Sequence, residues 1–246
     1  LLSSIIENSG KGEIVSKNKI MIKIKKFYYL FINIFFFFIF INTAVANNIK
    51  NSAVVFMYHK FDVAKYPTTN ITSEQFEDHL IEFSKEKYKV LSLDYIVDTI
   101  INDGDLPNNT IGISVDDADI SFLNFGWPKF KAKGFPVTLF VNTSAIQNNN
   151  KNHLNWDQIR FLKSEGVVIG AHSHSHNHLT EMSTEERKKE IELSNKIFLK
   201  ELNEIPTLFA HPFGEADLDI INLLKKYKYK VAFGQHSGVI NETSNL

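Results

Sequence analysis

Four histidines occupy alternate positions in one short stretch, Gly170-Ala171-His172-Ser173-His174-Ser175-His176-Asn177-His178. The stretch follows three apolar residues, 167–169, a pattern typical of a buried strand that ends in a loop. Two imidazoles four residues apart in such a loop, His172 and His176, could bind one metal ion, because neutral imidazole is a common metal ligand. The other interpretation is a solvated, histidine-rich turn that binds no metal.

A second strand-like run, residues 110–115, ends in two carboxylates, Asp116 and Asp117. One of these carboxylates, together with His172 and His176, would make a site of two histidines and one carboxylate with open positions for water and substrate. Alternatively, the Asp pair only caps the following helix. If there were no metal site, the histidine run and the Asp pair would both have to lie at strand ends by chance. The sequence therefore favours the metal site.

Short apolar runs alternate with helical patterns along the chain, which indicates parallel strands joined by right-handed crossovers. We predict a distorted (β/α) barrel, in which chemistry is expected at the carboxyl ends of the strands. Ser73 and Ser183 are candidate N-caps, and a long helix is predicted over 180–202. Only a short polar tail follows the last strand, so we expect a barrel without its closing elements and a chain truncated at its C-terminus. Strands are predicted at 52–58, 89–93, 110–115, 136–141, 167–170, 207–210 and 231–233.

The bulk composition fits a globular domain, with 246 residues of which 43% are hydrophobic and 22% are charged. The absence of cysteine excludes disulfides and thiolate ligands, which leaves any metal to histidine and carboxylate. Residues 1–46 hold six Lys and two Glu, so the remainder carries a formal net charge of -5. We therefore expect no nucleic-acid partner. The sequence indicates no oligomeric state.

The N-terminal region has the pattern of an export signal. Lysines at 23, 25 and 26 precede an apolar run over 27–41, and Ala44-Val45-Ala46 forms a cleavage site. We predict a non-native extension at 1–20, a signal peptide at 21–46 and a catalytic domain at 47–246. The protein would be periplasmic or secreted and would meet the membrane only through this signal. The alternative is an uncleaved anchor in the inner membrane, but the run is shorter than the ~20 residues of a spanning helix.

Three short motifs resemble those of the polysaccharide deacetylases of carbohydrate esterase family four. Ser114-Val115-Asp116-Asp117-Ala118 is similar to Thr-Phe-Asp-Asp-Gly, His172 to His176 matches His-x-x-x-His, and Pro212-Phe213-Gly214 is similar to Pro-Tyr-Gly. Phe56-Met57-Tyr58-His59 and the run 135–141 also resemble members of the family. The resemblance covers about residues 53–239.

This resemblance implies a role for each matching residue. Asp117, His172 and His176 would hold a divalent metal ion, most often zinc (Zn2+). Asp116 would be the general base toward the attacking water, and the backbone N–H of Phe213 would stabilise the oxyanion. His236 would then protonate the leaving amine.

The chain departs from the family pattern in three places. Ala118 replaces a glycine, no arginine precedes Pro212, and His236 follows Gly234-Gln235 instead of the usual Leu-x. The change to Ala118 is mild, and we interpret the missing arginine as the mark of a subgroup rather than of an inactive enzyme. The departure at His236 bears on the assignment of the acid and leaves the metal ligands unaffected.

Other candidates have two interpretations each. His59 and His211 follow predicted strands and could contact substrate or make a structural hydrogen bond. Trp156 could stack on a sugar, but a tryptophan that begins a helix is more often a core residue. His174 and His178 are predicted to be bystanders, because a further protein ligand would close the catalytic position.

The function predicted from the sequence is metal-dependent removal of N-acetyl groups from a glycan, an N-acetylglucosamine polymer or oligomer. One alternative is a metal-dependent amidase acting on a small, non-peptide C–N bond. Another is a catalytically silent glycan-binding module, which would have lost a base or metal ligand. Here Asp116, Asp117, His172 and His176 are all present.

Overall fold

The structure is a computed structural model that describes residues 51–148 and 150–244. The predicted extension at 1–20 and the predicted signal peptide at 21–46 lie outside these residues. Of the predicted catalytic domain, the structure describes nearly the whole length.

The described residues form nine strands, which are β1 (Ala53–Tyr58), β2 (Lys60–Phe61), β3 (Asn70–Ile71), β4 (Lys89–Val90), β5 (Thr110–Val115), β6 (Thr138–Val141), β7 (Val168–Ala171), β8 (Leu208–Ala210) and β9 (Val231–Phe233). Seven of these strands are parallel and form the main sheet, in the order β1-β5-β6-β7-β8-β9, with β4 paired to β5. The short strands β2 and β3 form a separate pair. The seven predicted strands are confirmed, most of them to within two residues.

Helices follow most of the strands, as the alternating pattern predicts. A π-helical turn over Phe122–Gly126 and 3-10 turns over Leu179–Glu181 and Pro212–Gly214 complete the elements. None of these described helices has the length and apolar character needed to cross a membrane. The α-helices are α1 (Ser73–Phe83), α2 (Leu93–Ile101), α3 (Trp127–Ala132), α4 (Thr143–Gln147), α5 (Trp156–Ser164), α6 (Thr184–Leu202) and α7 (Leu218–Lys226).

The two candidate N-caps have different outcomes. Ser183 caps α6 in a capping box with Glu186, as predicted, but the helix begins at Thr184 rather than at 180 because a separate 3-10 turn precedes it. The prediction of Ser73 is wrong, since Thr72 caps α1 and exchanges hydrogen bonds with Gln75. A capping box needs a Glu or Gln three residues after the cap; Thr72 is followed by Gln75 at this spacing, whereas Ser73 is followed by Phe76.

The sheet curls so that its two ends face each other. Val55 and Met57 of β1 and Val231 of β9 line one cavity of about 440 Å³. Beside this cavity, Ile240 pairs with Ala53 at the start of β1 through two backbone hydrogen bonds. The predicted distorted (β/α) barrel is therefore confirmed, in an incompletely closed form.

Helix α2 closes the amino end of this barrel. Its buried side chains Leu93 and Ile96 belong to an apolar cluster that includes the first residues of β1, β8 and β9. These first residues are Ala53, Leu208 and Val231. Higher in the barrel, Phe140 fills the space beside Gly170, where an added Cβ would lie 2.3 Å from the Phe140 ring. Apolar packing thus fills the amino end, and polar side chains collect at the carboxyl end.

Candidate active site

Three side chains at the carboxyl end of the sheet bring ligand atoms together. The Nε2 atom of His176 lies 3.3 Å from Oδ1 of Asp117, and Nε2 of His172 lies 3.7 Å from the same oxygen. The three ligand atoms all lie within 4.8 Å of one another. Two imidazole nitrogens and one carboxylate oxygen at this separation could hold a divalent metal ion and leave coordination positions open.

The order of the strands explains this convergence. Asp117 follows β5 and His172 follows β7, and both strands pair with β6 between them. Because the strands are parallel, their carboxyl ends meet at one edge. Left-handed backbone conformations at Asp117 (φ 71°) and His176 (φ 58°) then turn the chain at the site. Such conformations are costly for residues other than glycine and persist where the surrounding structure holds them.

His172 is buried and oriented by the next strand along the sheet. Its Nδ1 lies 2.8 Å from the carbonyl oxygen of Ala210 at the end of β8. A carbonyl can only accept, so Nδ1 carries the proton, and Nε2, which lies on the side of Asp117, keeps a lone pair that could bind a metal ion. Burial lowers the pKa of His172 to about 4, even though Asp117 acts in the opposite direction. The imidazole is therefore neutral at neutral pH, as a metal ligand must be.

Asp117 is held as an anion by its neighbours. Burial favours a higher pKa, but the combined electrostatic effect of the neighbouring imidazoles and of Lys60 outweighs it, so the pKa lies below the usual value. The side-chain amide of Asn142, the residue after β6, donates to Oδ1 of Asp117 at 3.3 Å. The carboxylate thus receives support from the strand between β5 and β7.

Asp116 differs sharply from its neighbour. Its side chain is 3% exposed, and among the described residues its Oδ1 has no hydrogen-bond partner. Burial, followed by the charge of Asp117, raises its pKa well above the usual value. Asp116 lines the 440 Å³ cavity, where a carboxyl that readily takes a proton is suited to general base catalysis.

A groove of about 750 Å³ opens in front of the cluster. Asp117, His176, Phe213 and His59 line it, and Lys60 and residues 68–71 contribute to one wall. Burial lowers the pKa of His59. A molecule in this groove could thus reach the candidate metal ligands Asp117 and His176, and His59 lies where it could contact that molecule.

His211 and His236 line the 440 Å³ cavity that Asp116 also lines. His211 is buried, its Nδ1 has no partner among the described residues, and burial lowers its pKa to about 4. His236 is exposed at the rim after β9. His211 therefore faces the barrel interior rather than the groove, and His236 is open to solvent.

Trp156 lines neither the 440 Å³ cavity nor the 750 Å³ groove. Its ring packs edge-on against Phe198 of α6, with ring centroids 5.8 Å apart, and it joins the main apolar cluster. The structure thus corrects the assignment of Trp156 to the substrate and supports the core interpretation. Tryptophan at the first position of α5 buries its apolar face against the neighbouring helix.

The alternate histidines separate into two environments. Nδ1 of His174 lies 2.9 Å from the Thr143 hydroxyl, whereas the ring of His178 stacks on Phe213 with ring centroids 3.8 Å apart. The interpretation of both as bystanders is therefore incomplete, because His178 contacts a residue of the groove. Sequence reasoning also missed Asn142, although its position directly after β6 was a usable signal.

The chain is similar in sequence and in structure to known proteins. The sequence profile described as polysaccharide deacetylase matches residues 103–232, more than half of the chain. The chain belongs to the polysaccharide deacetylase family. The matched residues include Asp116, Asp117, His172, His176 and Phe213, while His59 and His236 lie outside them.

Three relatives of this polysaccharide deacetylase illustrate the likeness. Poly-beta-1,6-N-acetyl-D-glucosamine N-deacetylase of Staphylococcus aureus is 22% identical over 212 residues, which cover 80% of this chain and 71% of the relative. The Streptococcus pyogenes deacetylase PplD, solved with acetate, has a TM-score of 0.73 at 20% identity and covers 79% of this chain and 88% of its own. The de-N-acetylase of Aggregatibacter actinomycetemcomitans has a TM-score of 0.70 at 17% identity, with 78% and 92% covered.

The likeness to the two solved structures supports the barrel fold. Family membership adds the reaction class, so this polysaccharide deacetylase is a hydrolase of carbon–nitrogen bonds other than peptide bonds. The family resemblance predicted from the three sequence motifs is confirmed.

Proposed function

We propose that this polysaccharide deacetylase removes N-acetyl groups from an N-acetylglucosamine polymer or oligomer in a metal-dependent reaction. The observation that carries the proposal is the cluster of Asp117, His172 and His176 beside the buried Asp116. The groove in front of the cluster could admit a glycan. The named substrate of the Staphylococcus aureus relative supports the substrate class.

The ligand set fits a divalent cation such as zinc. Zinc favours imidazole nitrogen and carboxylate oxygen in sites with an open position, and no cysteine is available as a competing ligand. When bound, such a cation acts as a Lewis acid and makes water nucleophilic near neutral pH. The hydrogen bond from His172 to the Ala210 carbonyl fixes the ring for this role.

The protein's own groups then divide the proton transfers. Asp116 takes the proton from the attacking water, for which its raised pKa is suited. The N–H of Phe213 stabilises the negative charge that develops on the acetyl oxygen. His236, at the rim of the cavity that Asp116 lines, protonates the leaving amine.

Removal of one ligand should greatly weaken metal binding at this site. We expect His176→Ala to weaken zinc binding by more than about 100-fold, the upper end of the loss known for a supporting residue. Calorimetric titration of the EDTA-treated protein with zinc measures this affinity. His174→Ala, on the same loop but in contact with Thr143, is the matched control and should bind zinc like the wild type. Equal zinc affinity in His176→Ala and wild type would refute the site.

Loss of the base should leave the metal site intact. We expect Asp116→Asn to lower the rate of acetate release from N-acetylglucosamine oligomers by about 10²- to 10⁴-fold, with zinc affinity retained, because the amide cannot take a proton. Acetate is measured with and without added zinc. Asp105→Asn, an exposed change in the loop before β5, serves as control. Full activity of Asp116→Asn would show that the base is another group.

The role of His236 can be separated from that of the other residues by the leaving group. An amine must be protonated as it leaves, whereas the phenolate of an activated aryl acetate leaves unaided. We expect His236→Ala to lower acetate release from the glycan by roughly 10²-fold and to affect hydrolysis of the aryl ester far less. Equal losses on both substrates would mean that His236 is not the acid.

We also propose that the protein is exported from the cytoplasm, because a glycan substrate of this kind lies outside it. The basic, apolar and Ala-x-Ala segments over 21–46 support a cleaved signal. We expect the exported protein to begin at Asn47, which N-terminal sequencing of the periplasmic or secreted fraction checks. An intact segment in the membrane fraction would instead indicate the uncleaved anchor.

A further inference from the structure

Phe213 lies between two histidines of the loop after β7. The ring of His178 stacks on it almost in parallel, at a centroid distance of 3.8 Å and an angle of 10°. On another side, the His176 ring meets it edge-on at 4.7 Å and 65°. Phe213 is 44% exposed and has a left-handed backbone (φ 57°), so neither core burial nor backbone preference holds it in place.

His178 is itself fixed from the other side. Its Nδ1 lies 2.9 Å from Oε2 of Glu215, and the Thr180 hydroxyl donates to the same oxygen at 3.0 Å. Because Glu215 is only two residues beyond Phe213, His178 contacts the loop after β8 at two points, Phe213 and Glu215, and so links it to the loop after β7. The carbonyl of Thr180 also accepts a hydrogen bond from Arg187 at 2.8 Å, and this bond connects the loop after β7 to α6.

We propose that His178 is a positioning residue that acts through the ring of Phe213. By holding that ring, it fixes the imidazole of the metal ligand His176 and the backbone N–H of Phe213 at the same time. This inference rests on the proposed function, in which both groups serve the reaction. His174 has no such role, because its Nδ1 contacts the hydroxyl of Thr143 in α4.

We expect the loss of His178 to destabilise the transition state of the reaction more than the bound substrate. The N–H of Phe213 stabilises charge that develops only during the reaction, so its displacement lowers kcat more than it raises KM. A merely structural histidine would lower the amount of folded protein and leave kcat per folded site unchanged. The two roles therefore have different kinetic signatures.

The kinetic test uses three variants with N-acetylglucosamine oligomers and saturating zinc. We expect His178→Ala to lower kcat by about tenfold with KM nearly unchanged, as found for residues that support a metal ligand. His178→Phe keeps a stacking ring and should recover most of the loss. The control His174→Ala should match the wild type. The proposal is overturned if His178→Ala keeps the wild-type kcat, or if His174→Ala loses as much.

A second readout does not depend on activity. In the ¹⁵N–¹H spectrum of the full chain, the Phe213 amide of His178→Ala should shift and exchange faster with solvent, while that of His174→Ala and His178→Phe should not. An unchanged Phe213 amide in His178→Ala would overturn the proposal. If the wild type releases no acetate, the proposed function fails, and this spectrum still decides the role of His178.

Discussion

Two adjacent carboxylates, Asp116 and Asp117, are both largely removed from solvent at the end of β5. Charges of equal sign repel strongly where solvent cannot screen them, and burial opposes each charge separately. The structure resolves this conflict unequally: burial and the charge of Asp117 raise the pKa of Asp116, whereas the combined electrostatic effect of the imidazoles and Lys60 lowers the pKa of Asp117. Burial keeps His172 neutral, with a pKa of about 4, so that imidazole cannot supply a full positive charge near neutral pH. A divalent cation among the three ligand atoms would supply it.

Bringing those atoms together requires backbone conformations that the chain would not adopt alone. Asp117, Ala118, Ser173, His176 and Phe213 all have positive φ values, and none is a glycine. Each such residue costs roughly 1 to 3 kcal/mol, which the fold must offset elsewhere. Local hydrogen bonds contribute, since Asn142 donates to Asp117 and the hydroxyl of Ser173 accepts from the N–H of His176. The remainder comes from the apolar packing of the barrel beneath the site.

Much of this arrangement follows from local sequence. A polar residue directly after an apolar run marks a strand end, and parallel strands bring such ends to one edge, which placed Asp117 and His172 correctly. The contacts that hold the ligands carry no such signal. The partner of His172 is the backbone carbonyl of Ala210, which any residue could provide, and the neighbours of Phe213 come from a different loop. The cap of α1 was missed for a local reason, because the capping box begins at Thr72, one residue earlier than the predicted Ser73.

The histidine run shows why spacing alone does not define a ligand pair. In an extended strand, alternate residues point to one face, so all four imidazoles would line up together. Residues four apart would also lie about 13 Å apart along the strand, too far to share one ion. The left-handed turn at Ser173 breaks the strand and returns the His176 ring to within 4.7 Å of the His172 ring.

Ser173 is held in that turn by contacts on both sides. It is fully buried, its carbonyl accepts from the Thr143 N–H and the Ser194 hydroxyl, and its own hydroxyl accepts from His176. The pairing of His172 with His176 therefore depends on the conformation of the serine that follows His172. That conformation in turn depends on α4 and α6, which close around the loop.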